Sequence, residues 1–280
     1  MIPQFQHNLT TSFAMWVDHY LLEKGRSYTN RTGIFYNYDD VRIPNGYKVF
    51  GSEYKQFVYE QMSGVSNITG VYVNGVFRPR GPGTVIDHIN GRVLLSGVSA
   101  DAVVSGAFPV KDFNVYMTTD NEEKLIVENS LSNNTKYPWS GRYLQPYTQL
   151  TPAVFVINEG YHNTPFSFGG EDETRSSLKC VAMTDNPYHL DGILSIFADS
   201  VRKVFKEKQF GDYPLTEYGD VKNYPYAYDD YYDSPNPPAE LFIDDVVVSQ
   251  LKDSKSLNAN PKVFVGMIDF EVIKYRYPRL

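Results

Sequence analysis

The residue types best suited to metal ligation or nucleophilic catalysis are few: five histidines, His7, His19, His88, His162 and His189, and one cysteine, Cys180. Their spacing serves neither chemistry. There is no HExxH or CxxC pattern, and no Cys/His cluster has the spacing of a zinc site. A GxSxG nucleophile elbow, a GxxxxGK[ST] phosphate loop and a GxGxxG turn ahead of a helix are all missing. His88 follows Asp87, a juxtaposition that invites acid–base work. Adjacent side chains on a strand point to opposite faces, so the two are not expected to cooperate. Cys180, within Leu178-Lys179-Cys180-Val181-Ala182, reads as a buried core thiol. A single cysteine forms no bridge within the chain and fits a reducing compartment, or a particle assembled in one.

Carboxylates offer a second kind of chemistry. Asp229, Asp230 and Asp233 resemble a calcium cluster, but lack the regular spacing and central glycine of a known loop. They read as an acidic solvated loop or, with Tyr226, Tyr228, Tyr231 and Tyr232 among them, as a contact surface for another protein. Gly169-Gly170-Glu171-Asp172-Glu173 is a similar acidic turn. Glycoside hydrolysis needs two carboxylates that face one cleft and need not be near in sequence. A glycosidase and a carbohydrate- or receptor-binding module therefore stay open as alternatives. The glycine-rich run Arg80-Gly81-Pro82-Gly83 lacks the strand–loop–helix setting of a phosphate cradle. No catalytic residue, cofactor or metal is expected.

The totals narrow the field. Lys and Arg number 26 against 33 Asp and Glu, a net charge of −7. Phosphate neutralisation drives nucleic-acid binding, so this balance argues against a free-standing DNA-binding role. No apolar run approaches the roughly 20 residues of a membrane span, and Met1-Ile2-Pro3-Gln4-Phe5-Gln6 has no signal-peptide pattern. The 23 Tyr, 17 Phe and 2 Trp suit half-buried strands and protein interfaces.

The elements that would position these residues are mainly strands, giving a β-rich α+β fold with an antiparallel, sandwich-like core. Phe13, Trp16, Val17, Tyr20 and Leu21 fall at helical spacing, with Gly25 as the stop. This helix over 1–25 either packs on the β-rich body, 26–280, or docks as an arm on a neighbouring subunit. Residues 26–55 read mostly as loop, with a short strand such as Gly33-Ile34-Phe35-Tyr36, and 53–62 as a short helix. Asn74-Gly75 and Asn90-Gly91 are two-residue hairpin turns. They set Val73 against Val76 and Tyr72 against Phe77, then Ile89 against Arg92 and His88 against Val93. The whole of 70–97 becomes a four-stranded meander, with the Arg78-Pro79-Arg80 corner facing a protein neighbour. Strands are expected near 113–117, 124–128, 153–157, 178–182, 241–251 and 262–275. Leu190, Ile193, Leu194, Phe197, Val201, Val204 and Phe205 mark an amphipathic helix over 190–208. Residues 212–238, rich in Tyr, Asp and Pro, read as one long extended loop.

Several segments together carry a resemblance: IPQFQHNLTTSFAMWVDHYLL, GVYVNGVFRPRGPG with IDHINGRVLLSG, VKDFNVYMTTDNEEKLIVEN, SLKCVAMTDNPYHLDGILSIFADS, DYPLTEYGD and VFVGMIDFEVIKYRYPR. Over nearly its whole length the chain resembles a group of virion structural proteins of tailed bacteriophages, common in phages of marine bacteria. The resemblance implies membership of the particle, assembled in the host cytoplasm, and carries over no catalytic residue. We expect a place at the head-to-tail connection (neck) or in the tail. The partners would be copies of the chain in a ring and other virion structural proteins, with DNA at most passing through a channel and no membrane. Trp16, the Arg78 and Arg80 corner, Tyr226, Tyr228, Tyr231 and Tyr232 are the residues expected to meet neighbours.

Overall fold

The computed structural model describes residues 5–128, 132–133, 149–166, 168, 170–231, 239–251 and 263–277. Helix α1 (Phe5–Gly25) is followed by eight strands: β1 (Tyr28–Tyr38), β2 (Tyr47–Gly51), β3 (Gly70–Val73), β4 (Val76–Pro79), β5 (Thr84–Asp87), β6 (Arg92–Ser96), β7 (Val104–Lys111) and β8 (Asn114–Thr118). A short pair, β9 (Ser132–Asn133) and β10 (Leu150–Thr151), precedes the long strands β11 (Ala153–Pro165) and β12 (Asp172–Thr184). Helix α2 (Pro187–Ala198), β13 (Val204–Lys206), β14 (Glu240–Gln250) and β15 (Phe264–Arg276) follow. The fold is β-rich α+β, with two curled sheets. Among the described residues no helix is long and apolar enough to cross a membrane.

The first sheet has seven strands in the order β4-β3-β7-β1-β2-β6-β5, all antiparallel. Strand β1 serves both halves: Tyr28–Phe35 run along β7, and Tyr36–Tyr38 along β2. The curl encloses a core that includes Phe35, Phe50, Phe57, Ile86, Val93 and Phe108. The second sheet has six strands, β13-β14-β15-β12-β11-β8, antiparallel except for the parallel pair β8–β11. One of its faces carries both helices. Phe13 of α1 meets Phe270 of β15 at 4.9 Å between ring centroids, and Trp16 stacks on Phe205 of β13 at 5.6 Å. Residues on nearly every side of α1 are buried, as befits a helix inside a core rather than on a surface.

Several expectations are corrected. Residues 26–55 contain two full strands, not mainly loop: the aromatic and β-branched residues of β1 find a partner on each side. No helix forms over 53–62. Lys124–Glu128 is a single wide helical turn and not a strand; the Asn121 side chain caps it by accepting from the Lys124 amide at 2.9 Å. The 70–97 stretch does form two hairpins, but they lie on opposite edges of the first sheet with β7, β1 and β2 between them. Val73 faces Val76 and Tyr72 faces Phe77 as expected. In the second hairpin Asp87 faces Arg92 and Ile86 faces Val93, so the loop is four residues long. The Asp87 carboxylate sets that loop, accepting from the Asn90 amide at 3.0 Å and from Arg92 Nε at 2.7 Å.

The 190–208 helix is shorter than its apolar pattern. Asn186 caps it by accepting from the Tyr188 amide at 2.8 Å, and Pro187 occupies the first turn. It ends at Ala198, where the Ser200 hydroxyl donates to the Phe197 carbonyl at 2.6 Å and Arg202 takes a positive φ of 64°. Val204–Lys206 then pair with β14, and this long-range pairing overrides the local helical period.

The two Asn-Gly turns should respond differently to the same change. Gly75 has φ +83° with open space around it. Gly91 has φ +62°, and a Cβ there would overlap the Tyr54 carbonyl. We expect Gly75→Ala to cost about 1 kcal/mol and Gly91→Ala about 3 kcal/mol or more, measured by urea denaturation. Equal losses would show that the chain at Tyr54 does not cover the second turn.

Candidate functional site

The first sheet leaves an apolar row on its outer face. Ile34 of β1 lies opposite Ser105 of β7, Ser105 opposite Tyr72 of β3, and Tyr72 opposite Phe77 of β4. Directly opposed residues share a face, so these four stand side by side. Their strand neighbours Phe35 and Val104 point the other way, into the core. Ile34, Tyr72 and Phe77 are 50%, 47% and 46% exposed, and Val103 at the end of the row is 59% exposed. The Tyr72 and Phe77 rings lie 5.3 Å apart. The Asn74 amide donates to the Val103 carbonyl at 2.8 Å, and the Val103 amide donates to Asn74 Oδ1 at 2.9 Å. The Asn74-Gly75 turn thus fixes one end of the surface. Sequence reasoning had paired Tyr72 with Phe77 and set Ile34 in a short strand, but did not place it beside them.

The other expected contact residues are placed differently. Trp16 is buried inside the chain's own core, and Tyr226 and Tyr228 are buried as well. None of the three offers a surface to a neighbour, so these expectations are withdrawn. Arg80 is turned inward: Nη2 bonds Asp220 Oδ1 at 2.8 Å and the Val221 carbonyl, and its guanidinium lies 4.9 Å from the centroid of Tyr224. It pins the segment after α2 rather than a partner. Arg78 stays partly exposed beside Gly83. Tyr231 closes a short turn, Asp229–Tyr231, and Tyr232 and Asp233 lie outside the described residues. Among the described residues no group of three or more His, Cys, Asp or Glu is gathered as a metal site requires.

The expected loop at 212–238 is, through residue 231, folded onto the core by charge. His19 Nδ1 of α1 is 2.9 Å from Glu60 Oε1, and the Tyr228 amide donates to the same oxygen at 3.0 Å. The His19 and Tyr228 rings stack at 4.3 Å. Lys208 Nζ donates to the Tyr226 hydroxyl at 3.1 Å and sits 4.3 Å above the Tyr228 ring. Burial alone would lower the His19 pKa, but the Glu60 hydrogen bond and the charges of Glu60, Asp229 and Glu23 outweigh it and raise it. Burial lowers Lys208 to about 7, with Glu60 only partly opposing.

A cleft of about 230 Å³ opens where α1, the two sheets and this segment meet. Thr11, Ala14, Met15 and Asp18, one stripe of α1, form a wall. Lys111 at the end of β7 donates to both oxygens of Asp18 at 2.7 Å, and its ammonium lies 5.0 Å from the centroid of Tyr59. The side-chain amide of Gln56 pairs with Val115 of β8 in both directions, at 2.9 and 3.0 Å, as a neighbouring strand would. His88 lines the cleft as a neutral ring: burial pushes its pKa down to about 3, and Nδ1 faces the Gly219 carbonyl at 3.2 Å. Burial, with the charge of Asp18, raises the phenols of Tyr59 and Tyr213. On the other side of Lys111 a wider cleft of about 470 Å³ holds Asp112, Asp185 and His189. There the Thr29 hydroxyl donates to Asp112 at 2.7 Å, and burial raises the Asp112 carboxyl.

Compared with known proteins, the chain matches no family model and no curated sequence.

The ionic network has a pH signature. His19, with its pKa raised, contributes stability that is present below 6.5 and lost as the pH rises through its folded value. Lys208 acts oppositely. The folded state releases its proton near 7 while the unfolded chain holds it to about 10.5, so stability rises with pH between the two. Unfolding free energies measured between about pH 7.5 and 9.5 should climb less steeply in Lys208→Met than in the parent protein. Parallel slopes would remove the assignment.

Proposed function

We propose that the protein is a structural subunit of a tailed-phage virion, a ring-forming neck, head–tail connector or tail component that works by assembly. Its partners are copies of itself and other virion structural proteins. The observation that carries this reading is the open row of Ile34, Tyr72, Phe77 and Val103. Exposed apolar surface held on a rigid sheet marks an interaction site, and aromatic side chains are favoured at the core of interfaces. A head-to-tail contact between unlike surfaces closes into a ring when the rotation allows.

Part of the outer face of the second sheet has the opposite character, beside the apolar cluster of Phe155, Val181 and Met183. Lys179 is surrounded by Glu122, Glu159 and Asp269, and Arg175 by Glu173, Asp244 and Glu271. Such an acid-rich face suits a passage along which DNA slides without adhering. This reading agrees with the resemblance of the chain to virion structural proteins.

Size-exclusion chromatography with light scattering, followed by electron microscopy, tests the proposal. The protein, alone or mixed with neighbouring virion proteins, should form a discrete assembly of defined copy number. Phe77→Asp should leave the unfolding midpoint nearly unchanged, because the side chain lies outside the core, and should shift the assembly to monomer. A clean monomer at high concentration in both settings would overturn it.

A further inference from the structure

We propose that the 230 Å³ cleft between helix α1 and the two sheets binds a small neutral molecule rich in hydroxyl groups, of monosaccharide size. The inference goes beyond assembly and does not depend on it. The volume is below that of sites for drug-sized ligands. At ordinary packing density it accommodates about a dozen non-hydrogen atoms.

The chemistry of the lining selects the ligand. At one end lie Asp18 and Lys111, with Tyr59 and Tyr213 nearby. The ammonium is bonded to both carboxylate oxygens, so the pair is internally compensated. An ionic ligand would leave a net charge in a largely desolvated place, which is costly. A neutral one leaves the balance intact. The hydroxyls of Tyr59 and Tyr213 have no hydrogen-bond partner among the described residues, and both side chains line the cleft. Each offers one donor and spare acceptor capacity, and the Asp18 oxygens keep lone pairs to accept with. A ligand hydroxyl both donates and accepts, and so satisfies phenol and carboxylate alike.

Beside these polar groups the lining is apolar, with Ala14, Met15, Val115 and Leu215. A pyranose ring has a face of C–H groups that such side chains would cover, while its hydroxyls meet the phenols and the carboxylate. Ile89 and Met117, both exposed, flank the mouth. The walls are set in advance, because Gln56 is fixed on β8 and Lys111 is fixed on α1. Little ordering is therefore required on binding.

The full chain should be titrated with the methyl glycosides of glucose, galactose and mannose, by calorimetry and ligand-observed NMR. At least one should bind saturably. Tyr213→Phe removes one hydrogen-bonding hydroxyl and should weaken that binding roughly 3- to 10-fold. Ala14→Leu fills the cleft with a residue that favours helix and should abolish binding while the protein stays folded. Failure of all three sugars up to about 10 mM, where a millimolar site would be nearly full, overturns the proposal. So does undiminished binding in Tyr213→Phe, or glucuronate binding as tightly as the neutral glycoside.

Discussion

The buried bond between Lys111 and Asp18 holds the two halves of the molecule in one geometry. Lys111 ends the last strand of the first sheet, and Asp18 sits on the helix that fills the core of the second. Removing either partner would strand a charge in a place shielded from water, at a cost of about 3–5 kcal/mol. The neighbouring contacts reinforce the same seam. Gln56, from the first half, stands in for a strand beside β8, and the Lys111 amide donates to the Gln56 carbonyl at 3.0 Å. The cleft is what remains between surfaces kept at a fixed distance by these few polar ties.

The same logic recurs around Arg92. Its guanidinium reaches Asp87 at 2.7 Å and Asp40 at 2.6 Å, and it donates to the Tyr38 hydroxyl at 3.0 Å. Arg42, on the surface, completes the hold on Asp40. These charges are bought inside the protein only where every partner is present. The long segments between short strands are ordered chiefly by such ties, in the manner of Arg80 on Asp220 and Lys208 on Tyr226.

Much of the fold was legible in the sequence, and the misses have physical causes. The Asn74-Gly75 hairpin was read in its correct register because both positions adopt positive φ and the space around Gly75 is open. Asn90-Gly91 carries the same dipeptide but is governed by the Asp87 side chain and by the chain at Tyr54, neither of which a local pattern reveals. The helix near 190 was seen, but its end was set by strand pairing more than thirty residues away. Tyr226 and Tyr228 looked like surface because their neighbours are acidic and proline-rich; Lys208 and His19 fold them inward. The cleft left no trace as a motif. Its walls come from α1, the 56–59 segment, the turn at His88 and Ile89, the end of β7, strand β8, and the stretch near Tyr213. Half of the apolar row was visible, since its β3–β4 hairpin is local, whereas β1 and β7 pair across a long stretch of chain.

The packing of Phe13 against Phe270 sets the order in which the molecule is made. Helix α1 leaves the ribosome long before β15, the strand that closes its core. Until then the helix has no sheet to cover its aromatic side chains. Contacts this distant along the chain make for slow folding. The growing chain must therefore be kept from sticking to its neighbours before the last strand arrives. That interval places a demand on the chaperones of the producing cell.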